Sequence, residues 1–188
     1  VATNANDILY RFLTTGEMKM ESVTPSLSPS MDIQVSSNFE RLLFELYGRD
    51  GAKVRETLEQ FRKTGRFCLP LALMQKLSEE FVAGRVDDEG TIQVMRDVYK
   101  QTGYILDPHT AVGVGAAQTY QQKNPDAVIV AMATAHPAKF PDAVKQVTGI
   151  APLLPTRLSD LHTRPERCTV LPASLAHVRF CRTRRRAE

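Results

Sequence analysis

GYILDPHTAVGVGAAQTYQQKNPDAVIVAMATAHP (103–137) decides the architecture. YIL (104–106) and AVIVAMA (127–133) are unbroken apolar runs of strand length, and the residues between them, from about His109 to Gln121, read as a helix. Buried strands alternating with helices mark a parallel, doubly wound sheet, because only strands covered on both faces are apolar at every position. The fold class expected is therefore α/β, with a twisted, mostly parallel sheet flanked by helices. The glycines of AVGVGAAQ (111–118) fall inside the helical pattern, so they predict close helix packing rather than a phosphate-cradling turn.

Upstream, Val1–Thr3 reads as the end of a strand. Asn6 is placed to cap a helix carrying Ile8, Leu9, Phe12 and Leu13, with Gly16 as its stop. Residues 17–37 are rich in Ser, Pro and Met without a helical period and predict a long loop. Ser37 and Glu40 have capping-box spacing ahead of Phe39, Leu42, Leu43 and Leu46, an apolar stripe that ends near Gly48. Two further helices are expected over 52–63 and 73–83, separated by FCLPLAL, which Pro70 breaks. Asp87 or Asp88 then caps a helix bearing Ile92, Met95, Val98 and Tyr99, stopped at Gly103. Downstream, a helix over about 138–148 closes at Gly149, and Pro152, Pro155, Pro165 and Pro172 break the rest into loops. These shifts divide the chain into 1–50 (α/β with the long loop), 51–102 (helical), 103–150 (α/β) and 151–188 (loops and a basic tail).

At 188 residues and 43% hydrophobic, the chain has the content of one globular domain or a large piece of one. A net charge of +3 is too balanced for a nucleic-acid or membrane-surface protein, and Arg179, Arg182, Arg184, Arg185 and Arg186 crowd one end as a solvated tail. Cys68, Cys168 and Cys181 show no metal or disulfide spacing, which favours a reducing, cytoplasmic setting. No apolar run approaches the roughly 20 residues of a membrane span. The opening, an apolar trio without methionine, reads as a strand cut short and predicts a longer parent polypeptide.

In an open parallel sheet, ligands bind where strands end and helices begin, because free N–H groups and a positive dipole end collect there. Three such junctions can be read: Thr3–Asp7, Asp107–Thr110 and Thr134–Pro137. All three are polar after apolar runs, and one shared sheet edge would gather Asn4, Asp107 and Thr134 into a small-molecule site, although helix capping alone accounts for each residue equally well. Asp107, His109 and His136 are a weak metal pattern. No GxSxG elbow or Ser/His/Asp set can be assembled, so nucleophilic catalysis has no support.

ATNANDILYRFLTTGE (2–17), TPSLSPSMDIQVSSNFERLLFEL (24–46), GYILDPHTAVGVGAA (103–117) and ATAHPAKFPDAV (133–144) resemble, in this order and at about these spacings, the C-terminal half of bacterial and fungal threonine synthases. The resemblance implies a fold-type II pyridoxal-phosphate enzyme, a carbon–oxygen lyase acting on phosphates that turns O-phospho-L-homoserine and water into L-threonine and phosphate. It also implies that Thr110, in DPHTAVG, is the neutral hydroxyl that meets the pyridine nitrogen of pyridoxal 5'-phosphate and leaves that nitrogen largely unprotonated. On the residues alone, Thr110 fits a helix-start position as well. The Schiff-base lysine and the glycine-rich phosphate turn are expected upstream of Val1, since no lysine of this chain sits in the family context, so this chain alone is expected to be inactive. Two alternatives stand beside this: a threonine-synthase-like phospho-lyase releasing 2-oxobutyrate, and a non-catalytic α/β binding domain. The resemblance fades after about residue 165.

Overall fold

The computed structural model describes residues 1–166 and 168–184. Helix α1 (Ile8–Thr15) starts after Asp7 and ends on Gly16, whose φ of 79° is left-handed and lets its N–H return to the Phe12 carbonyl at 2.8 Å. The start is one residue later than the pattern suggests, because Asn6 spends its side chain on the following loop and not on the helix. Helix α2 (Phe39–Leu46) forms on its apolar stripe, but without the expected capping box: Asn38 precedes it in a helical conformation with no side-chain cap. Asp50 caps α3 (Gly51–Thr64), α4 runs Leu71–Glu80, and Asp87 caps α5 (Asp88–Thr102). Asp107 caps α6 (Pro108–Lys123), with proline at its first position, where no N–H is missed. Helix α7 spans Pro141–Thr148.

Four short strands form two pairs among the described residues. Strand β1 (Ala2–Thr3) runs parallel to β4 (Gly84–Arg85), with Ala2 opposite Gly84 and Thr3 opposite Arg85. Strand β2 (Glu17–Lys19) is antiparallel to β3 (Arg66–Cys68), with Met18 opposite Phe67. The single sheet expected to join Val1–Thr3, Tyr104–Leu106 and Ala127–Ala133 is therefore not what forms. Only the first of these is a strand, and its partner lies at 84–85. The other two runs have strand composition, yet no described strand lies beside them to complete a ladder, and pairing, not composition, makes a strand.

Two apolar clusters hold residues 1–153. In the first, Ile8, Phe12, Met18, Leu43, Phe61, Phe67 and Leu77 are buried together, so α1 to α4 and the β2–β3 pair share one core. Its aromatic rings meet edge to face or tilted: Phe12 to Phe39 at 4.9 Å, Phe12 to Phe67 at 5.7 Å, and Phe61 to Phe67 at 5.5 Å. The second cluster gathers Val94, Met95, Ala111, Val144 and Val147 from α5, α6 and α7, with Leu106 from the segment between α5 and α6. Helix α6 lies close to the β1–β4 pair, and a Cβ added at Gly84 would fall 2.7 Å from the Cβ of Ala116, so only glycine fits there.

Residues 154–188 form a separate unit. It contains two 3-10 turns, Thr156–Leu158 and Leu161–Thr163, and helix α8 (Leu175–Arg184). Arg164 pairs with Asp160 at 2.7 Å, and that hydrogen bond holds the Asp160 carboxyl below its ordinary value. Of the basic run, Arg185 and Arg186 lie outside the described residues. Among the described residues no helix is long and apolar enough to cross a membrane.

Candidate functional site

The three polar junctions come together through hydrogen bonds, although not through one sheet. At the end of β1, the fully buried Asn4 directs its amide to the Ser26 hydroxyl at 2.8 Å, the Ser28 hydroxyl at 2.9 Å and Asp32 Oδ1 at 2.8 Å. Asn6 donates to the same Asp32 oxygen at 2.9 Å and pairs with the Thr24 backbone in both directions. Asp32 Oδ1 also accepts from the Ser26 hydroxyl, and Oδ2 accepts from the Ser26 N–H. The 20–38 loop, without regular structure over most of its length, is thereby fixed to the strand end. The Leu27 N–H, donating to Asp88 at the start of α5, ties it down from the other side.

That loop delivers Ser30 to the second junction. The Ser30 N–H donates to His109 Nε2 at 3.1 Å, which requires Nε2 to be bare. His109 Nδ1 lies 3.1 Å from Asp107 Oδ1, an acceptor, so the hydrogen of the imidazole sits on Nδ1. The ring packs at 4.3 Å against that of Phe140. Asp107, almost completely buried, accepts on Oδ1 from the His109 and Thr110 N–H groups as a helix cap, and on Oδ2 from the Thr110 hydroxyl. The third junction closes the chain of contacts, with the Thr134 N–H donating to Thr110 Oγ1 at 3.2 Å. His136, the other imidazole singled out by sequence, turns to its own segment and accepts from the Ala138 N–H.

His109, Ser30 and Thr134 line one end of an open groove of about 1010 Å³, whose remaining wall is largely apolar: Val1, Ala2, Val82, Gly84, Ala116 and the run from Ala127 to Met132. Along that run Val128, Val130 and Met132 are 96%, 80% and 73% exposed. Among the described residues no hydrogen bond reaches the backbone of 128–133. The groove thus has a polar cluster built from three chain segments and a mainly apolar remainder, in which Glu80, Thr119, Tyr120 and Lys123 also take part and where the backbone and side chains of 128–132 are open.

The family described as "Threonine synthase, C-terminal" matches residues 110–180. The threonine synthase of Pseudomonas aeruginosa is 48% identical over 179 residues, which cover 95% of this chain and 38% of that protein. The chain belongs to the threonine synthase family. Two threonine synthase crystal structures share its fold, each with a TM-score of 0.78. The pyridoxal-phosphate-bound enzyme from Brucella melitensis is 45% identical, with 96% of this chain and 38% of that one covered. The yeast enzyme is 34% identical, with 99% and 41% covered. The chain thus spans about two fifths of the length of the threonine synthases it matches.

Within this threonine synthase segment, sequence reading singled out Thr110, Asp107, His109 and Thr134, and the structure connects all four. It passed over Ser30, Asp32 and Phe140. The first two lie in SPSMDI, a stretch that carried the threonine synthase resemblance but had no period or spacing to say what its residues touch.

Proposed function

We propose that this chain supplies the ring-nitrogen end of the cofactor site in a threonine synthase that converts O-phospho-L-homoserine and water to L-threonine and phosphate. The observation that carries it is the buried Thr110 hydroxyl, held between Asp107 and the Thr134 N–H beside the polar end of the groove. A single fixed hydroxyl flanked by an imidazole suits the edge of a neutral heterocycle better than an anion, since no cationic side chain joins Thr110 in this hydrogen-bonded cluster. The donor set therefore fits the pyridine end of pyridoxal phosphate and not its phosphate end.

When bound, pyridoxal phosphate supplies the electron sink that stabilises negative charge at substrate carbon. This chain's share is placement: Thr110 contacts the ring nitrogen, Asp107 fixes Thr110, and the Asn4–Asp32 network fixes the loop that carries Ser30 to His109. The proton-transferring lysine and the phosphate cradle come from polypeptide outside residues 1–188. The apolar part of the groove, with the open backbone of 128–133, is where strands of that polypeptide add.

The test is Thr110→Val in the complete enzyme, which keeps shape but removes the hydroxyl. Losing a buried hydrogen bond of this kind costs about 1 kcal/mol or more. The expected result is a lowered kcat and an altered cofactor absorbance with the fold intact. Parental turnover and an unchanged spectrum would leave Thr110 as a helix-start residue. Product analysis in the same assay separates threonine from 2-oxobutyrate, the product of a phospho-lyase.

A further inference from the structure

We infer that His109 is a positioning residue that caps a turn of the 20–38 loop from outside, with its imidazole as a hydrogen-bond acceptor, and so fixes the wall which that loop adds to the groove. The inference rests on the reading that the groove holds the cofactor, but not on which hydroxyl meets the ring.

The starting point is an orphan donor. Within the loop, Pro29–Met31 form one 3-10 turn, closed by the Met31 N–H on the Ser28 carbonyl and the Asp32 N–H on the Pro29 carbonyl. The first N–H groups of a helical turn have no partner inside it. Pro29 has no N–H to satisfy, so Ser30 carries the one that is left, and the Ser28 side chain gives it no cap. His109 Nε2 accepts it at 3.1 Å, from 79 residues further along the chain.

The same count closes other roles to this imidazole. A neutral imidazole has one donor nitrogen and one acceptor nitrogen, and both are committed: Nε2 to Ser30, and Nδ1, at 3.1 Å, to Asp107 Oδ1. An Asp–His pair serves proton transfer when the outer nitrogen faces a hydroxyl or a ligand, but here it faces a main-chain amide. The ring is also held in place, since Phe140, at the start of α7, lies 4.3 Å away and the His109 side chain is only 7% exposed. What remains is a rigid acceptor aimed at one turn.

Its consequence is geometrical. The loop is tied to the end of β1 by Asp32, which accepts from Asn4 and Asn6, and to α5 by the Leu27 N–H on Asp88. Those two ties flank the turn. The His109 tie joins the turn itself to α6, and Ser30 and Met31, which line the groove, sit on it. Without that tie the flanks stay anchored, but nothing sets the distance between the turn and α6, and the groove wall beside His109 and Thr134 loosens.

The experiment compares His109→Gln and His109→Leu with the parent in the complete enzyme, by amide hydrogen exchange over residues 26–33, cofactor Kd, KM and kcat, with circular dichroism on each. Glutamine can place a carbonyl oxygen where Nε2 lies, whereas leucine fills the space and accepts nothing. The Ser30 amide is expected to exchange about three- to tenfold faster in His109→Leu, and His109→Gln to stay within about threefold of the parent. Cofactor Kd should rise and kcat fall by about tenfold in His109→Leu alone, as for a displaced wall of a bound ring. Equal Ser30 exchange in the parent and a folded His109→Leu overturns the inference, and so does faster exchange with parental kcat and Kd. A folded His109→Gln as impaired as His109→Leu overturns it too, because the imidazole would then act as more than an acceptor. One check needs no variant to fold: 15N shifts of the parent must place the His109 ring hydrogen on Nδ1, and a hydrogen on Nε2 removes the acceptor and the inference with it. A parent that binds no pyridoxal phosphate overturns the cofactor reading itself, and the cap then stands or falls on Ser30 exchange alone.

Discussion

Phe12 and Val128 both sit in apolar stretches of sequence, yet Phe12 is completely buried and Val128 is 96% exposed. Around Phe12, α1 to α4 and the β2–β3 pair bring Ile8, Met18, Leu43, Phe61, Phe67 and Leu77 together as partners from within the same eighty residues. Around Val128, the chain offers α6 and β1 on one side of a groove and leaves the opposite side open. The first region closes its own core, and the second presents half of one. A helix satisfies its backbone internally and needs only a face to pack on, whereas a strand depends on neighbours for its hydrogen bonds, so an incomplete α/β assembly shows its gap at a strand.

Three substitutions grade this contrast. The largest effect belongs to Phe12→Ala, which empties the centre of the first cluster and removes ring contacts to Phe39 and Phe67. It should destabilise the chain by about 3–5 kcal/mol in denaturant unfolding, and a loss below about 1 kcal/mol would show that the first core is not self-contained. Next comes Gly84→Ala at the joint between the regions, where a methyl group meets Ala116 of α6. The three atoms it meets, Cβ, Cα and O of Ala116, have nowhere to rotate, so about 1–3 kcal/mol is expected, measured the same way. The smallest effect is the most telling. Val128→Lys should change the stability of residues 1–188 by no more than about 0.5 kcal/mol, as for any exposed position. In the complete enzyme the same lysine would face added strands and should be destabilising by several times that amount. Equal effects in the two settings would mean that nothing covers Val128.

The same contrast explains what could be read from sequence. The helices were legible because their signals are local: Gly16, Gly103 and Gly149 end α1, α5 and α7 in left-handed conformations, and Asp87 caps α5 as its position suggested. The capping box at Ser37 and Glu40 had the right spacing, but Asn38 adopts helical dihedrals and the motif does not form. Tyr104–Leu106 and Ala127–Ala133 had the composition of buried strands, and composition cannot say whether partners are at hand. Nor did any pattern join 2–3 to 84–85, a parallel pair of two residues each, fixed by how closely α6 can approach Gly84. At the site, Asp107, Thr110 and Thr134 were legible as strand-to-helix junctions. Ser30 was not, because its contribution is a main-chain N–H that any residue except proline could offer; its identity is invisible, and the Asn4–Asp32 anchoring places it.

The open backbone of 128–133 has a further consequence for handling this polypeptide by itself. A row of unsatisfied amides and carbonyls flanked by Val128, Val130 and Met132 is a template for any similar segment, including the same six residues in another copy. Self-association through it is a bimolecular event, so the shelf life of a stock would depend on its dilution more than on its melting temperature, and a short apolar peptide added in excess would act as a preservative by occupying the edge first.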